Sequence, residues 1–190
     1  MIETVILENG CFYHIYNRGN NKENIFFEEE NYTYFLILLK KYIVPVAEIY
    51  AYCLLKNHFH LLIRIKDEPK SSPKQHFSNL FNAYTKSVNK KYNRTGKLFS
   101  ERFKRKKVVE DSYFSEIVFY IHTNPQKHNI ATDFRKYKYS SYQTILSDKY
   151  TDLKRKELIG WFGSKEMFEK YHNDRYLNIL NNFNLDYLEL

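Results

Sequence analysis

The sequence is poor in the residues that frame a protein from outside its core. Of 190 residues, two are cysteine, five glycine, four proline and one tryptophan. Cys11 and Cys53 have no CxxC spacing and no Cys/His ladder, which excludes a disulfide scaffold or zinc-finger frame and leaves them as reduced, small apolar residues. No Ser/Gly tract, low-complexity block or fixed-period repeat divides the chain. The most apolar stretch, Phe35 to Leu39, is interrupted by charge within a few residues, so nothing is long enough to span a bilayer. Met1 to Gly10 carries Glu3 and Glu8 and lacks the apolar core of a signal peptide, so a cytoplasmic protein with no membrane partner is expected. A Gly-rich phosphate cradle is missing too, which argues against a nucleotide cofactor.

What is present is a core and a surplus of positive charge. Apolar residues make up 43% of the chain, enough for one packed domain, and the formal charge is +8. The basic residues concentrate between Lys86 and Lys107, where Glu101 alone opposes a run that includes Lys97, Arg102, Lys104 and Arg105. Such a stretch can neutralise phosphates and release their counterions. A solvated charged face is the plainer reading of a charge run. Tyr92, Phe99 and Phe103, interleaved with it, offer rings on which bases could stack and favour nucleic acid.

Periodicity orders the elements. Phe12 to Tyr16 reads as a strand ending in the turn residues Asn17-Arg18-Gly19-Asn20-Asn21, where Gly and Asn tolerate positive φ. Phe35, Leu38, Leu39 and Tyr42 recur at helical spacing behind three glutamates and before Lys40 and Lys41, matching the helix dipole. Val46 to Leu55 and His58 to Ile65 flank Lys56-Asn57 as an antiparallel hairpin. A second helix carries Phe77, Leu80, Phe81, Tyr84 and Val88, and a strand lies around Phe103 to Val109. A third helix buries Phe114, Ile117, Val118 and Ile121 and stops at Pro125. This order predicts an α+β fold, a ferredoxin-like antiparallel sheet with helices on one face, spanning residues 1–145. Residues 146–190, with Ser164 capping a segment through Met167, Phe168 and Tyr171, form a C-terminal helical extension, which Trp161 would anchor.

The strand His58 to Ile65 alternates so that Phe59, Leu61, Ile63 and Ile65 share one face while His58, His60 and Arg64 share the other. Two imidazoles pointing the same way suit a metal, but two histidines two apart also simply decorate strands, and spacing leaves both readings open. On the third helix Tyr120 and Asn124 are one turn apart and are expected to lie opposite the buried stripe. There Asn124 could give a third ligand and Tyr120 a nucleophilic hydroxyl. Asn124 before Pro125 could equally be a helix stop. Arg18 and Arg64 are candidates to hold phosphates. His14 reads as structural, His122 as turned away from Tyr120, and Glu116 as an exposed helix glutamate within reach of the site.

Asn57-His58-Phe59-His60, Tyr120-Ile121-His122-Thr123-Asn124-Pro125 and Ser140-Ser141-Tyr142, in that order, resemble the IS200-like transposases, in particular the REP-associated tyrosine transposase branch of the HUH single-tyrosine endonucleases. Tyr13 to Gly19 and Gly96 to Phe103 resemble that branch as well, with Phe99 and Ser100 standing where it more usually has Trp and Gln. The resemblance implies a transposase that cuts and rejoins single-stranded, hairpin-bearing DNA through a 5′-phosphotyrosine. It implies Tyr120 as nucleophile, His58, His60 and Asn124 as ligands of Mg²⁺ or Mn²⁺, and a monomer or homodimer. A noncatalytic, basic nucleic-acid-binding sheet is the alternative.

Overall fold

A computed structural model describes residues 6–100, 102–109 and 111–181. Strands β1 (Phe12–Arg18), β2 (Ala47–Leu55), β3 (His58–Ile65) and β4 (Lys104–Val108) form one sheet in the order β2-β3-β1-β4, every neighbouring pair antiparallel. Helix α1 (Glu29–Tyr42) joins β1 to β2 and helix α2 (Pro73–Lys91) joins β3 to β4, which is the expected ferredoxin-like arrangement. Helices α3 (Asp111–Lys127), α4 (Tyr142–Leu146), α5 (Arg155–Phe162) and α6 (Lys165–Asn181) follow. No helix among the described residues is long and apolar enough to cross a membrane.

The two sheet faces carry separate cores. On the first, α1 and α2 lay Phe35, Leu38, Leu39, Phe77, Leu80 and Tyr84 over Tyr13, Ile15, Phe59, Leu61 and Ile63. Phe35 sits at its centre, its ring 5.2 Å from Phe59 and 5.0 Å from Tyr84. On the second face α3 sets Phe114, Ile117, Val118 and Ile121 against Ala51, Cys53 and Leu62, and this core reaches into the C-terminal part through Leu158 and Phe168. The extension is therefore packed on the sheet through α3, with Trp161 stacked 4.4 Å from Phe114. Ser164 caps α6 as expected, accepting from the Met167 N–H at 3.1 Å.

Three local details depart from expectation. Pro125 does not stop α3, which runs on to Lys127. A proline in the last turn costs one backbone bond, and the chain closes on itself through His128 N–H to Asn124 O at 3.0 Å and Ile130 N–H to Pro125 O at 2.8 Å. In the turn after β1 the positive φ falls on Asn21 and Lys22. Gly19 is there because a Cβ would stand 1.9 Å from the carbonyl oxygen of Glu23, so the turn folds back on a bare backbone. Finally, β2 carries a bulge between Ile49 and Ala51, which brings Tyr50 and Ala51 to the same face in succession.

Phe35 tests the first core. Phe35→Ala should lower the unfolding free energy by about 3–5 kcal/mol, read from urea denaturation followed by circular dichroism. A loss below about 1 kcal/mol would mean that α1 is not seated on the sheet as described.

Candidate active site on the second sheet face

Strand register assembles the site. In β1, Arg18 lies opposite His58, Tyr16 opposite His60, and His14 opposite Leu62, while in β2 Cys53 lies opposite His60. Residues directly opposite in antiparallel strands point to the same face. His14, Tyr16, Arg18, His58 and His60 thus share the second face, and Phe59, Leu61 and Ile63 go into the first core, as the alternation of β3 predicts.

This face is covered. His60 is 4% exposed and Tyr120 6%, and Asn124 is fully buried. The expectation that Tyr120 and Asn124 lie opposite the buried stripe is corrected: three residues advance a helix by about 300°, so Tyr120 lies only about 60° from Ile117. Sheet below and α6 beyond leave α3 enclosed on most sides. The consequence is closer convergence, with the Tyr120 ring edge-on to His60 at 5.3 Å and to His14 at 5.8 Å between centroids. His58 and His60 are themselves 5.2 Å apart.

Hydrogen bonds fix which imidazole nitrogens stay available. His58 Nδ1 is 2.7 Å from Asn57 Oδ1, an acceptor, and with the proton on Nδ1 the lone pair of Nε2 is free. His60 Nδ1 is 2.9 Å from His14 Nε2. Burial holds the imidazole of His60 well below its usual pKa and that of His14 down to about 3, so both rings are neutral and share one proton across that contact. With the proton on His60 Nδ1, the His60 Nε2 lone pair is free as well. His14, read from the sequence as structural, is thus the partner that can orient His60. Sequence carries its signal only in the alternation of Phe12, His14, Tyr16 and Arg18; the register that brings it to His60 is a tertiary fact.

Asn124 completes the set. Its Nδ2 donates to the Tyr120 carbonyl at 2.9 Å, while its Oδ1 is buried without a hydrogen-bond partner. A buried, unpartnered carbonyl oxygen costs about 1–3 kcal/mol, and a bound cation would remove that cost. The helix-stop reading of Asn124 fails because the helix continues. Burial raises the Tyr120 hydroxyl pKa and the neighbouring Asn124 amide opposes that shift. Burial lowers His58 to about 4, the Asn124 side chain again acting in opposition. Among the described residues no group of three or more His, Cys, Asp or Glu could hold a metal, so two imidazoles and an amide are the donor set on offer.

The basic run is divided by strand alternation. Lys104 and Lys106 lie opposite Tyr16 and His14 and are exposed on the site's face. Arg105 points the other way, half-buried over the Phe103 ring at 4.9 Å, and Lys107 is tied to Glu8 at 2.8 Å. Lys97 and Arg102 are exposed outside the sheet. Arg18 ends β1 beside His58 and acts on its ionisation, whereas Arg64, at the far end of the sheet, pairs with Asp67 at 2.8 Å and Glu48 at 3.5 Å. The three aromatics expected to stack on bases are used in packing instead: Phe99 is in the first core, Phe103 stacks on Phe77, and Tyr92 donates to Glu28. Glu116 is not an open helix glutamate, since Tyr171 and Arg175 hold it. His122 does face away from Tyr120, toward His172 and Ser141.

The antiparallel ferredoxin-like sheet thus presents the His58-Phe59-His60 pair beneath a helix that carries Tyr120 and Asn124. The chain belongs to the family described as Transposase IS200 like, which it matches over residues 8–124. In fold it is similar to a solved structure titled "Structure of the REP associates tyrosine transposase bound to a REP hairpin", with a TM-score of 0.61 and 14% identity over 80% of this chain and 88% of that one. No curated protein matches it.

The buried histidines make stability depend on acid. His14, His58 and His172 titrate at about 3, about 4 and about 4 when folded and near 6.5 when unfolded. Between those values the unfolded chain binds more protons, so stability is complete above about pH 6.5 and falls as the pH drops toward 4. Urea unfolding at about pH 7 and about pH 4.5 should show a lower midpoint in acid. An unchanged midpoint would mean that these imidazoles are not buried neutral.

Proposed function

We propose that this transposase cuts and rejoins single-stranded DNA bearing a hairpin, with Tyr120 as the nucleophile. The observation that carries the proposal is the convergence of Tyr120 with His60 at 5.3 Å over the buried, unpartnered Oδ1 of Asn124. The hairpin is suggested by the similar solved structure, whose title has it bound to one.

In the reaction the Tyr120 hydroxyl gives up its proton and its oxygen attacks phosphorus in line. The bond from phosphorus to the 3′ oxygen breaks, that oxygen leaves as a hydroxyl, and the 5′ side stays esterified to Tyr120. The phosphotyrosine keeps the energy of the ester, so rejoining by a 3′ hydroxyl needs no nucleotide. Lys127, whose ammonium lies 5.6 Å from the centre of the Tyr120 ring, opposes the negative charge that develops there. Mg²⁺ or Mn²⁺, held by Nε2 of His58, Nε2 of His60 and Oδ1 of Asn124, would supply the charge that polarises a nonbridging phosphate oxygen. His14 and Asn57 orient the two imidazoles, and burial keeps them neutral and ready to ligate. Lys104 and Lys106 hold the strand along the open side of α3. Tyrosine and histidines come from one chain, which favours a self-contained monomer over a dimer that exchanges tyrosines.

Incubated with a hairpin-bearing single strand and Mn²⁺, the protein should form a covalent adduct stable to denaturant. Tyr120→Phe should abolish the adduct and change DNA binding by no more than about twofold, or about 0.4 kcal/mol. An adduct that persists in Tyr120→Phe sinks the assignment, and binding without cleavage under any divalent metal would favour a noncatalytic binder.

The divided basic run gives a second test. Each phosphate contact contributes about 0.7 to the slope of log K against log salt for single strands. Lys104→Gln with Lys106→Gln should reduce that slope by about 1.4, whereas Lys107→Gln should leave it unchanged. Equal effects would mean that the strand does not run along the site's face.

A further inference from the structure

At the other end of the same sheet face lies an open pocket of about 520 Å³, lined by Phe12, Tyr50, Arg64, Glu157, Gly160 and Trp161. Its size is within the roughly 300–1,000 Å³ typical of small-ligand sites. We propose that this pocket takes a nucleobase of the bound single strand, stacked against Trp161 and held at its edge by Arg64 and Glu157. The inference rests on the proposed action on single-stranded DNA and adds where the protein reads a base.

Three features of the chain make the pocket. The bulge in β2 brings Tyr50 onto this face, where its hydroxyl donates to Glu157 at 2.6 Å and positions that carboxylate. Trp161 is 40% exposed although one side of its ring stacks on Phe114 and its edge meets Phe12, so a large aromatic surface is held rigidly against solvent. Rigid aromatic platforms suit bases, because every base has a π-face. Gly160 sits inside α5, where glycine is the poorest residue short of proline, yet a Cβ there would meet nothing within 4 Å. Neither a turn nor a close approach calls for that glycine, and its effect is to keep the pocket open.

The edge chemistry fits a base better than a purely apolar ligand. Each base offers both donors and acceptors in its plane. Glu157 accepts, and Arg64, a quarter exposed, donates from guanidinium positions beyond those given to Asp67 and Glu48. The pocket is about 13 Å from the catalytic pair, counting four strand residues from His60 to Arg64 at about 3.3 Å each. A strand cut at Tyr120 can therefore place a base a few nucleotides away in the pocket.

Trp161 is the sole tryptophan, so its fluorescence reports on the pocket alone. The full chain carrying Tyr120→Phe is titrated with oligothymidine and with an abasic oligomer of equal length, binding being followed independently by anisotropy of an end label. Oligothymidine should quench Trp161, and the abasic strand, with the same phosphates, should bind without quenching. Gly160→Leu should remove the quenching by occupying the space, whereas Gly160→Ala, whose Cβ meets nothing within 4 Å, should leave it unchanged. Trp161→Ala should weaken oligothymidine binding roughly 5- to 150-fold and abasic binding hardly at all. Bound oligothymidine that leaves Trp161 unquenched, or equal quenching by the abasic strand, overturns the pocket. Either result leaves adduct formation by Tyr120 to be judged separately on the unsubstituted protein.

Discussion

The site depends on one constraint, the pairing of β1 with β3 in a register that sets Tyr16 against His60 and Arg18 against His58. A sheet alternates with period two, so this register commits every side chain of both strands at once. It sends Tyr13, Ile15, Phe59, Leu61 and Ile63 into the core under α1 and α2, and it sends His14, Tyr16, His58 and His60 to the opposite face. A slip of one residue would bury the imidazoles among phenylalanines and turn the aliphatic row onto the site's face. The first core therefore fixes the histidine face without touching it, because the same apolar burial that stabilises the sheet disfavours the slipped register.

Enclosure is the second consequence. The histidine face is closed by α3, and with it come low polarity, neutral imidazoles and an amide oxygen without a partner. Burying polar groups that are not fully satisfied is normally destabilising. Here Asn124 Oδ1 and His14 Nδ1 are left unsatisfied, and the surrounding aromatic and aliphatic contacts offset them. A cation held as proposed at Asn124 Oδ1 would recover the cost of leaving that oxygen unpaired.

Much of this was legible in the residues. Alternation in His58 to Ile65 gave the two faces of β3, helical spacing gave α1, α2 and α3, and their order gave the ferredoxin-like topology. What could not be read were facts that arise between elements. His14 became the partner of His60 only through strand pairing, and Asn57 held His58 only through the hairpin geometry. Phe99 and Phe103 have the composition of a stacking surface, but α2 lies beside them and claims their rings. Pro125 has the local chemistry of a helix stop, overruled in the last turn where little hydrogen bonding remains to be lost. The basic run looked uniform in sequence, and only its placement on an edge strand divided Lys104 and Lys106 from Arg105 and Lys107.

The C-terminal helices lie beyond the residues 8–124 that match the family, yet they bear on the same helix. His122 Nδ1 meets His172 Nε2 at 3.0 Å and its Nε2 meets Ser141 Oγ at 2.9 Å, while His172 Nδ1 donates to the Phe168 carbonyl at 2.8 Å. Ser141 Oγ in turn accepts from the Tyr52 N–H at 2.9 Å. This chain of bonds runs from α6 through α3 to strand β2, and His122, Ser141 and His172 in it are fully buried. Each member has a partner, so the network holds α3 at a fixed rotation about its axis, where a purely apolar contact would tolerate several. His122 lies between Tyr120 and Asn124 in sequence and about 200° around the helix from each. Fixing the back of the helix at His122 therefore fixes the direction in which the tyrosine and the amide point toward the histidines, and the extension contributes to the site by setting that rotation.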